Sequence, residues 1–211
     1  MRVGRRVRRD GLRFLHGGGL EGRSGQEARK ISVVINTFNS DRFLDQCLRS
    51  VEKFDEIVLC DMHSTDGTIA IAEKYGCRIV YHERTGIVEP ARNYAIAQAE
   101  NEWVLVLDSD EVVPDALREY LYPFAETAEQ RGYAALKMAR KNYFLGRFMH
   151  GDYPDYIIRL IRKSKTYWPE TIHARPVIDG GIFAIPSRRR ELAVEHLANE
   201  SVSSRIAKID R

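Results

Sequence analysis

Residues 108–111 read Asp-Ser-Asp-Glu and follow directly on the apolar run Trp103-Val-Leu-Val-Leu107. A run of that length reads as a buried strand. Three carboxylates packed against its end repel each other, and each costs several kcal/mol to bury unpaired. Asp108 and Asp110 flank one residue and can reach a common point. Two carboxylates that close are tolerated when a cation sits between them. Ligands that are all oxygen favour a hard ion, Mg²⁺ or Mn²⁺, which proteins commonly hold with one or two carboxylates plus substrate phosphates. The spacing therefore points to metal-assisted chemistry on a diphosphate. Asp-x-Asp is also a common way to open a helix after a strand, so the surrounding elements have to decide.

Those elements alternate. ISVVIN (31–36), EIVLC (56–60), CRIVY (77–81) and EWVLVL (102–107) read as strands. Between them lie helices: DRFLDQCLRSVEKF, with Phe43, Leu44, Cys47, Leu48 and Val51 at helical spacing; STDGTIAIAEKYG, capped by Ser64 or Asp66 and stopped by Gly76; and EPARNYAIAQAE, with Pro90 in its first turn. Four strand–helix units with short connections predict an α/β fold with a mainly parallel sheet. In such sheets ligands bind outside the carboxyl ends of the strands. There the sequence places Asn36 and Thr37, Asp61, and Asp108 with Asp110.

The regularity stops after Val113. An amphipathic helix (114–132) precedes YAALKMARKNYF and YIIRLIRK, which read as strands of a mixed or antiparallel second half. VIDGGIFAIP reads as a hairpin around Asp179-Gly180-Gly181, and SVSSRIAKIDR as a helix that begins and is cut off. The expected organisation is a tail (1–30) and one domain (31–211), divided into a nucleotide-binding half (31–113) and an acceptor half (114–211) whose C-terminus is incomplete.

Charge supports that division. Residues 1–30 carry nine Lys/Arg against three Asp/Glu, so the net +3 of the chain leaves −3 on the remainder. The basic excess belongs to a glycine-rich tail without apolar period, read as a disordered, solvated segment. A phosphate-binding arm, a transit peptide and an upstream extension are the other readings of it. The globular part is no nucleic-acid binder by charge. Cys47, Cys60 and Cys77, an odd set in apolar contexts, read as buried thiols of a reducing compartment. No apolar run reaches membrane-span length, which leaves peripheral membrane contact open.

The segments ISVVINTFN, DEIVLCDMHSTDGT and ARNYAIAQAENEWVLVLDSDE, in this order, resemble glycosyltransferase family 2, the inverting nucleotide-sugar transferases of the GT-A fold. GDYPDYIIRLIRKSKTYWPETIHARP extends the resemblance toward the branch of lipopolysaccharide inner-core glucosyltransferases. The resemblance implies a nucleotide diphosphate sugar donor, an acceptor hydroxyl on a saccharide or lipid-linked molecule, an Mg²⁺ or Mn²⁺ ion, and a cytoplasmic site at the inner face of the membrane. Residue by residue it implies Thr37 and Asn39 beside the nucleotide, Asp61 on the base, and Gly86 and Arg92 lining the nucleotide-sugar pocket. It makes Asp108 and Asp110 the metal motif, with Asp108 also at the donor, and His173 a metal or phosphate contact. Asp155, or Asp152 as the alternative, would be the general base that inversion requires. Three features depart from the pattern: His63 stands where many relatives have Gly, Ala174 replaces the usual Glu after His173, and relatives often extend further.

Each residue also has a plain structural reading: Arg92 a solvated helix start, Asp61 a helix cap, His173 a packed or surface side chain. Tyr153, Tyr156, Tyr167 and Trp168 suit a sugar-stacking surface or a core. Two other functions compete. A haloacid-dehalogenase-type phosphatase would use Asp108 as nucleophile and Asp110 as acid, although its motif normally opens the fold. A non-catalytic module would bind nucleotide sugars without turnover.

Overall fold

The computed structural model describes residues 29–84, 88–171 and 174–199. The tail up to residue 28, Gly86, His173 and the expected terminal helix lie outside the described residues.

The first half alternates as expected: β1 (Ile31–Thr37), α1 (Asp41–Val51), β2 (Glu56–Asp61), α2 (Thr68–Lys74), β3 (Arg78–Tyr81), α3 (Glu89–Gln98), β4 (Trp103–Asp108). Next come the short β5 (Glu111–Val112), α4 (Asp115–Ala128), β6 (Tyr133–Phe144), β7 (Arg147–Phe148) and β8 (Asp155–Arg162). The last strands are β9 (Thr166–Tyr167), β10 (Val177–Ile178), β11 (Gly181–Ala184) and β12 (Val194–Asn199).

The main sheet runs β3-β2-β1-β4-β8-β6-β12-β5. Strands β1 to β4 are parallel. Both pairs made by β8, with β4 and with β6, are antiparallel, so the sheet is parallel in its first half and mixed in its second. The order 3-2-1-4 reverses direction at β1, which creates a switch point between β1 and β4. Register aligns the polar strand ends there: Asn36 lies opposite Asp108, Thr37 opposite Asp61, and Asp61 opposite Tyr81.

Apolar alternation divides the core between two faces. Ile31, Val33 and Ile35 of β1, with Leu105 and Leu107 of β4, face α1 and α4. Leu44, Cys47, Leu48 and Val51 of α1 meet them at helical spacing. Val34, Val104 and Val106 face the other way, against Ala91, Ala95 and Ile96 of α3. The alanines of α3 pack flat on the sheet, which brings the start of this helix close to the end of β4.

Three expectations are corrected. Residues 177–186 form no hairpin: β10 pairs with β9, while β11 pairs in parallel with β6. Gly180 has φ +143, and a Cβ there would lie 2.8 Å from Ala134 Cβ; one on Gly181 would lie 2.7 Å from the Gly132 carbonyl oxygen. These glycines serve a close crossing over the start of β6, with no hairpin turn. Cys47 and Cys60 are buried free thiols, but Cys77 is partly exposed. At α2 the cap position is Gly67, with no side-chain cap; Asp66, one of the two expected caps, stands one residue earlier and accepts from the Thr68 amide (3.0 Å), and Ser64 turns to Asp61.

Candidate active site

The loops after β1 and β2 hold each other. Asp61 is fully buried and accepts from Thr37 Oγ1 (2.9 Å), the Ser64 amide (2.7 Å) and Ser64 Oγ (2.5 Å). Asn39, at φ 47, accepts from the Thr65 amide (2.8 Å) through its side chain. His63 adopts φ 60, the left-handed region that favours glycine. Its ring stacks on Tyr81 with centroids 5.8 Å apart. Thr37, Asn39 and Asp61 thus stand together at the switch point, with Asp61 organising the loop from inside.

The acids after β4 are not left to a metal alone, as the sequence suggested. Arg92, at the start of α3, donates to Asp108 Oδ1 (3.1 Å), and Arg159 of β8 donates to Asp108 Oδ2. Arg159 also donates to Glu111 Oε1 (2.5 Å), and Arg140 of β6 approaches the same oxygen (3.3 Å). Glu111 is fully buried and Arg159 is 4% exposed. The pairing of β8 with β6 shows how a buried strand presents an arginine. Leu160 lies opposite Leu136, but Ile158 lies opposite Lys137, so Arg159 is the extra residue of a bulge. A bulge re-aims one side chain without disturbing the faces on either side. Burial pushes the Asp108 carboxyl up, but Arg159 and Arg92 more than offset it and hold the group well below the usual carboxylate range. Burial raises Glu111, against the pull of Arg159.

Asp110 is different. Its Oδ1 is buried and has no hydrogen-bond partner among the described residues. Its Oδ2 lies 3.5 Å from Nε2 of His196, a residue of β12 that sequence reasoning missed. Asn142 orients that ring. Its amide nitrogen donates to Asp155 Oδ2 (3.1 Å), which turns its oxygen toward His196 Nδ1 (2.8 Å). Nδ1 is thereby the nitrogen that meets Asn142, and Nε2 is the ring nitrogen directed at Asp110. Among the described residues no set of three or more His, Cys, Asp or Glu side chains forms a cage. A carboxylate and an imidazole with a hydrogen-bonded second nitrogen nevertheless fit an ion that takes its other ligands from water and phosphate.

Asp155, at the start of β8, accepts from Arg140 Nε (2.9 Å), Arg140 Nη2 (2.7 Å) and Asn142, all on Oδ2. Burial alone would raise its carboxyl. The Asn142 amide and the Arg140 guanidinium more than offset that and lower it. Asp152 lies in an exposed 3₁₀ turn. The structure therefore gathers Asp108, Asp110, Arg92 and Asp155 into one network and leaves Asp152 at its edge.

Comparison with known proteins places the sequence and the fold. Residues 32–185 match the pattern of glycosyl transferase family 2. The chain belongs to that family. The lipopolysaccharide core biosynthesis glycosyltransferase LpsC of Rhizobium meliloti (strain 1021) is 28% identical over 164 residues, 72% of this chain and 58% of LpsC. The poly(ribitol-phosphate) beta-N-acetylglucosaminyltransferase TarS of Staphylococcus aureus (strain Mu50 / ATCC 700699) is 38% identical over 95 residues, 40% of this chain and 17% of TarS. The chain thus spans less than two thirds of these relatives. The crystal structure of S. aureus TarS 1-349 superposes with a TM-score of 0.55 at 22% identity, over 80% of this chain and 60% of that one. The shared fold is the GT-A type. Membership excludes the phosphatase reading, whose nucleophile would be the very carboxylate that two arginines hold.

Proposed function

We propose that the chain is an inverting, metal-dependent glycosyltransferase. It moves a sugar from a nucleotide diphosphate sugar to a hydroxyl of a cell-envelope saccharide or lipid-linked acceptor. The observation that carries this reading is the carboxylate–imidazole pair of Asp110 and His196 Nε2 beside the switch point of the sheet, with Asp110 Oδ1 buried and without a hydrogen-bond partner among the described residues. A divalent ion bound there would neutralise charge on the departing diphosphate. Imidazole is a poorer ligand than oxygen for Mg²⁺, so the pair favours Mn²⁺. Asp108 keeps Arg92 and Arg159 in place beside the diphosphate, while Thr37, Asn39 and Asp61 shape the nucleotide pocket.

Asp155 is the base. With Oδ2 fixed by three hydrogen bonds, Oδ1 is the oxygen left to take the acceptor proton. As that proton moves, the acceptor oxygen bonds to the anomeric carbon, the bond to the diphosphate oxygen breaks, and the nucleoside diphosphate leaves. The lowered proton affinity of Asp155 keeps it ionised at neutral pH. Among the described residues no helix is long and apolar enough to cross a membrane; a cytoplasmic site at the inner membrane face is part of the proposal.

The test is a thermal-shift screen of nucleoside diphosphates with and without Mn²⁺. Uridine diphosphate comes first, because a crystal structure of TarS 1-349 in complex with UDP-GlcNAc shares this fold (TM-score 0.51, 20% identity, 74% of this chain and 59% of that one). A ligand at a hundred times its dissociation constant adds about 2.7 kcal/mol. Stabilisation by nucleotide plus Mn²⁺, absent with either alone, is the expected result. No stabilisation by any nucleotide with metal contradicts the proposal.

A further inference from the structure

Beside Asp155 lies a cleft of about 280 Å³, close to the lower end of small-ligand sites. Asp155, Tyr156, Arg159 and Lys137 line it from β8 and β6, and Trp168 and Arg175 close the other side. The cleft is tied to the donor edge. Trp168 exchanges two hydrogen bonds with Asn93 of α3, its amide donating to Asn93 Oδ1 (2.9 Å) and its carbonyl accepting from Nδ2 (2.7 Å). Its ring carries the Arg92 guanidinium at 4.9 Å, and Arg92 holds Asp108. A ligand in the cleft therefore sits between the base and the donor machinery.

Charge separates this cleft from that machinery. Arg92, Arg140 and Arg159 are each paired with carboxylates. Lys137 and Arg175 take part in no ion pair among the described residues; Lys137 instead covers the Tyr156 ring at 5.0 Å. Arg159, nine-tenths buried and part of the lining, keeps its Nε without a hydrogen-bond acceptor. Two uncompensated cations and an unsatisfied guanidinium N–H form a site for an anion. Trp168, only 3% exposed, forms the rigid apolar floor of this cleft.

We propose that the cleft is the acceptor subsite and that it selects a saccharide bearing a carboxylate or phosphate. Lys137 and Arg175 meet the anion, and Asp155 Oδ1 faces the reacting hydroxyl. This rests on the transferase reading above.

The test uses the full chain with uridine diphosphate and Mn²⁺, titrated by ligand-observed NMR with glucuronic acid, glucose 6-phosphate and glucose. At least one acidic sugar binds, and the stronger of the two distinguishes carboxylate from phosphate recognition. Glucose binds about tenfold more weakly or not at all, and Lys137→Gln and Arg175→Gln each weaken the acidic sugar by about tenfold. Uridine diphosphate affinity stays unchanged in both variants. Equal binding of glucose, no binding of either acid by a chain that binds the nucleotide, or acid binding that ignores both substitutions overturns the proposal. Acid binding that depends on Lys137 in a chain that binds no nucleotide leaves the anion site standing and removes the transferase reading.

Discussion

The two halves of the sheet hold their polar groups in different ways. In the parallel half, Thr37, Asn39 and Asp61 are fixed by hydrogen bonds between two adjacent loops. In the mixed half, polar groups meet across long stretches of chain: the ion pairs of Arg159 with Asp108 and Glu111 and of Arg140 with Glu111 and Asp155, and the contact of His196 with Asp110. The first arrangement is a preorganised pair of loops held by one buried carboxylate, Asp61. The second is a network that joins His196, the proposed metal ligand, through Asn142 to Asp155, the proposed base, and through Arg140, Glu111 and Arg159 to Asp108. The comparison teaches that, on the proposed function, donor shape falls to the first half, whereas coupling of leaving group to base falls to strands the first half does not contain.

The strongest way to break this contrast is Arg159→Met. It removes the cation shared by Asp108 and the fully buried Glu111, so it leaves buried negative charge uncompensated and should cost about 3–5 kcal/mol of stability in urea unfolding. A loss below about 1 kcal/mol would show that the two carboxylates do not depend on that arginine. Asp155→Asn sharpens the division of labour. Transfer should fall by roughly two to four orders of magnitude while nucleotide affinity holds, read from kcat against a separately measured Kd.

Acid brings a smaller effect with a definite sign. Asp108 and Asp155 are both held below their ordinary values. Their stabilisation is present above the unfolded carboxylate value, about pH 4, and is lost as pH falls through the folded values. The thermal unfolding temperature should therefore decline below about pH 4, and less steeply in Asp155→Asn. The smallest effect belongs to the parallel half: His63→Gly relieves a left-handed residue and should change stability by no more than about 1 kcal/mol, most of it a gain. A loss larger than that in differential scanning calorimetry would mean that the stack on Tyr81 outweighs backbone strain.

Much of the first half was legible in the sequence because its signals are local. Apolar runs, helical spacing and the polar residues that end each strand predict β1 to β4 and their switch point. The resemblance of three short segments to glycosyltransferase family 2 agrees with the family the chain belongs to. The second half was harder for a physical reason. Arg159 sits inside an apolar run and Arg140 begins a polar stretch, and nothing nearby in sequence shows that a bulge aims Arg159 at Asp108. His196 lies in β12, a strand of mixed composition that no periodicity announced, 86 positions from its partner Asp110. Asp179-Gly180-Gly181 looked like a turn because hairpin glycines and close-approach glycines share one composition.

The central claim is that Asp110 and His196 together hold the cation that binds the nucleotide. Calorimetric titration of uridine diphosphate into wild type and His196→Ala, each with Mn²⁺ and with chelator, tests it most directly. The account predicts Mn²⁺-dependent binding in the wild type and loss of that dependence in a folded His196→Ala. Equal Mn²⁺-dependent affinity in the two proteins would contradict it.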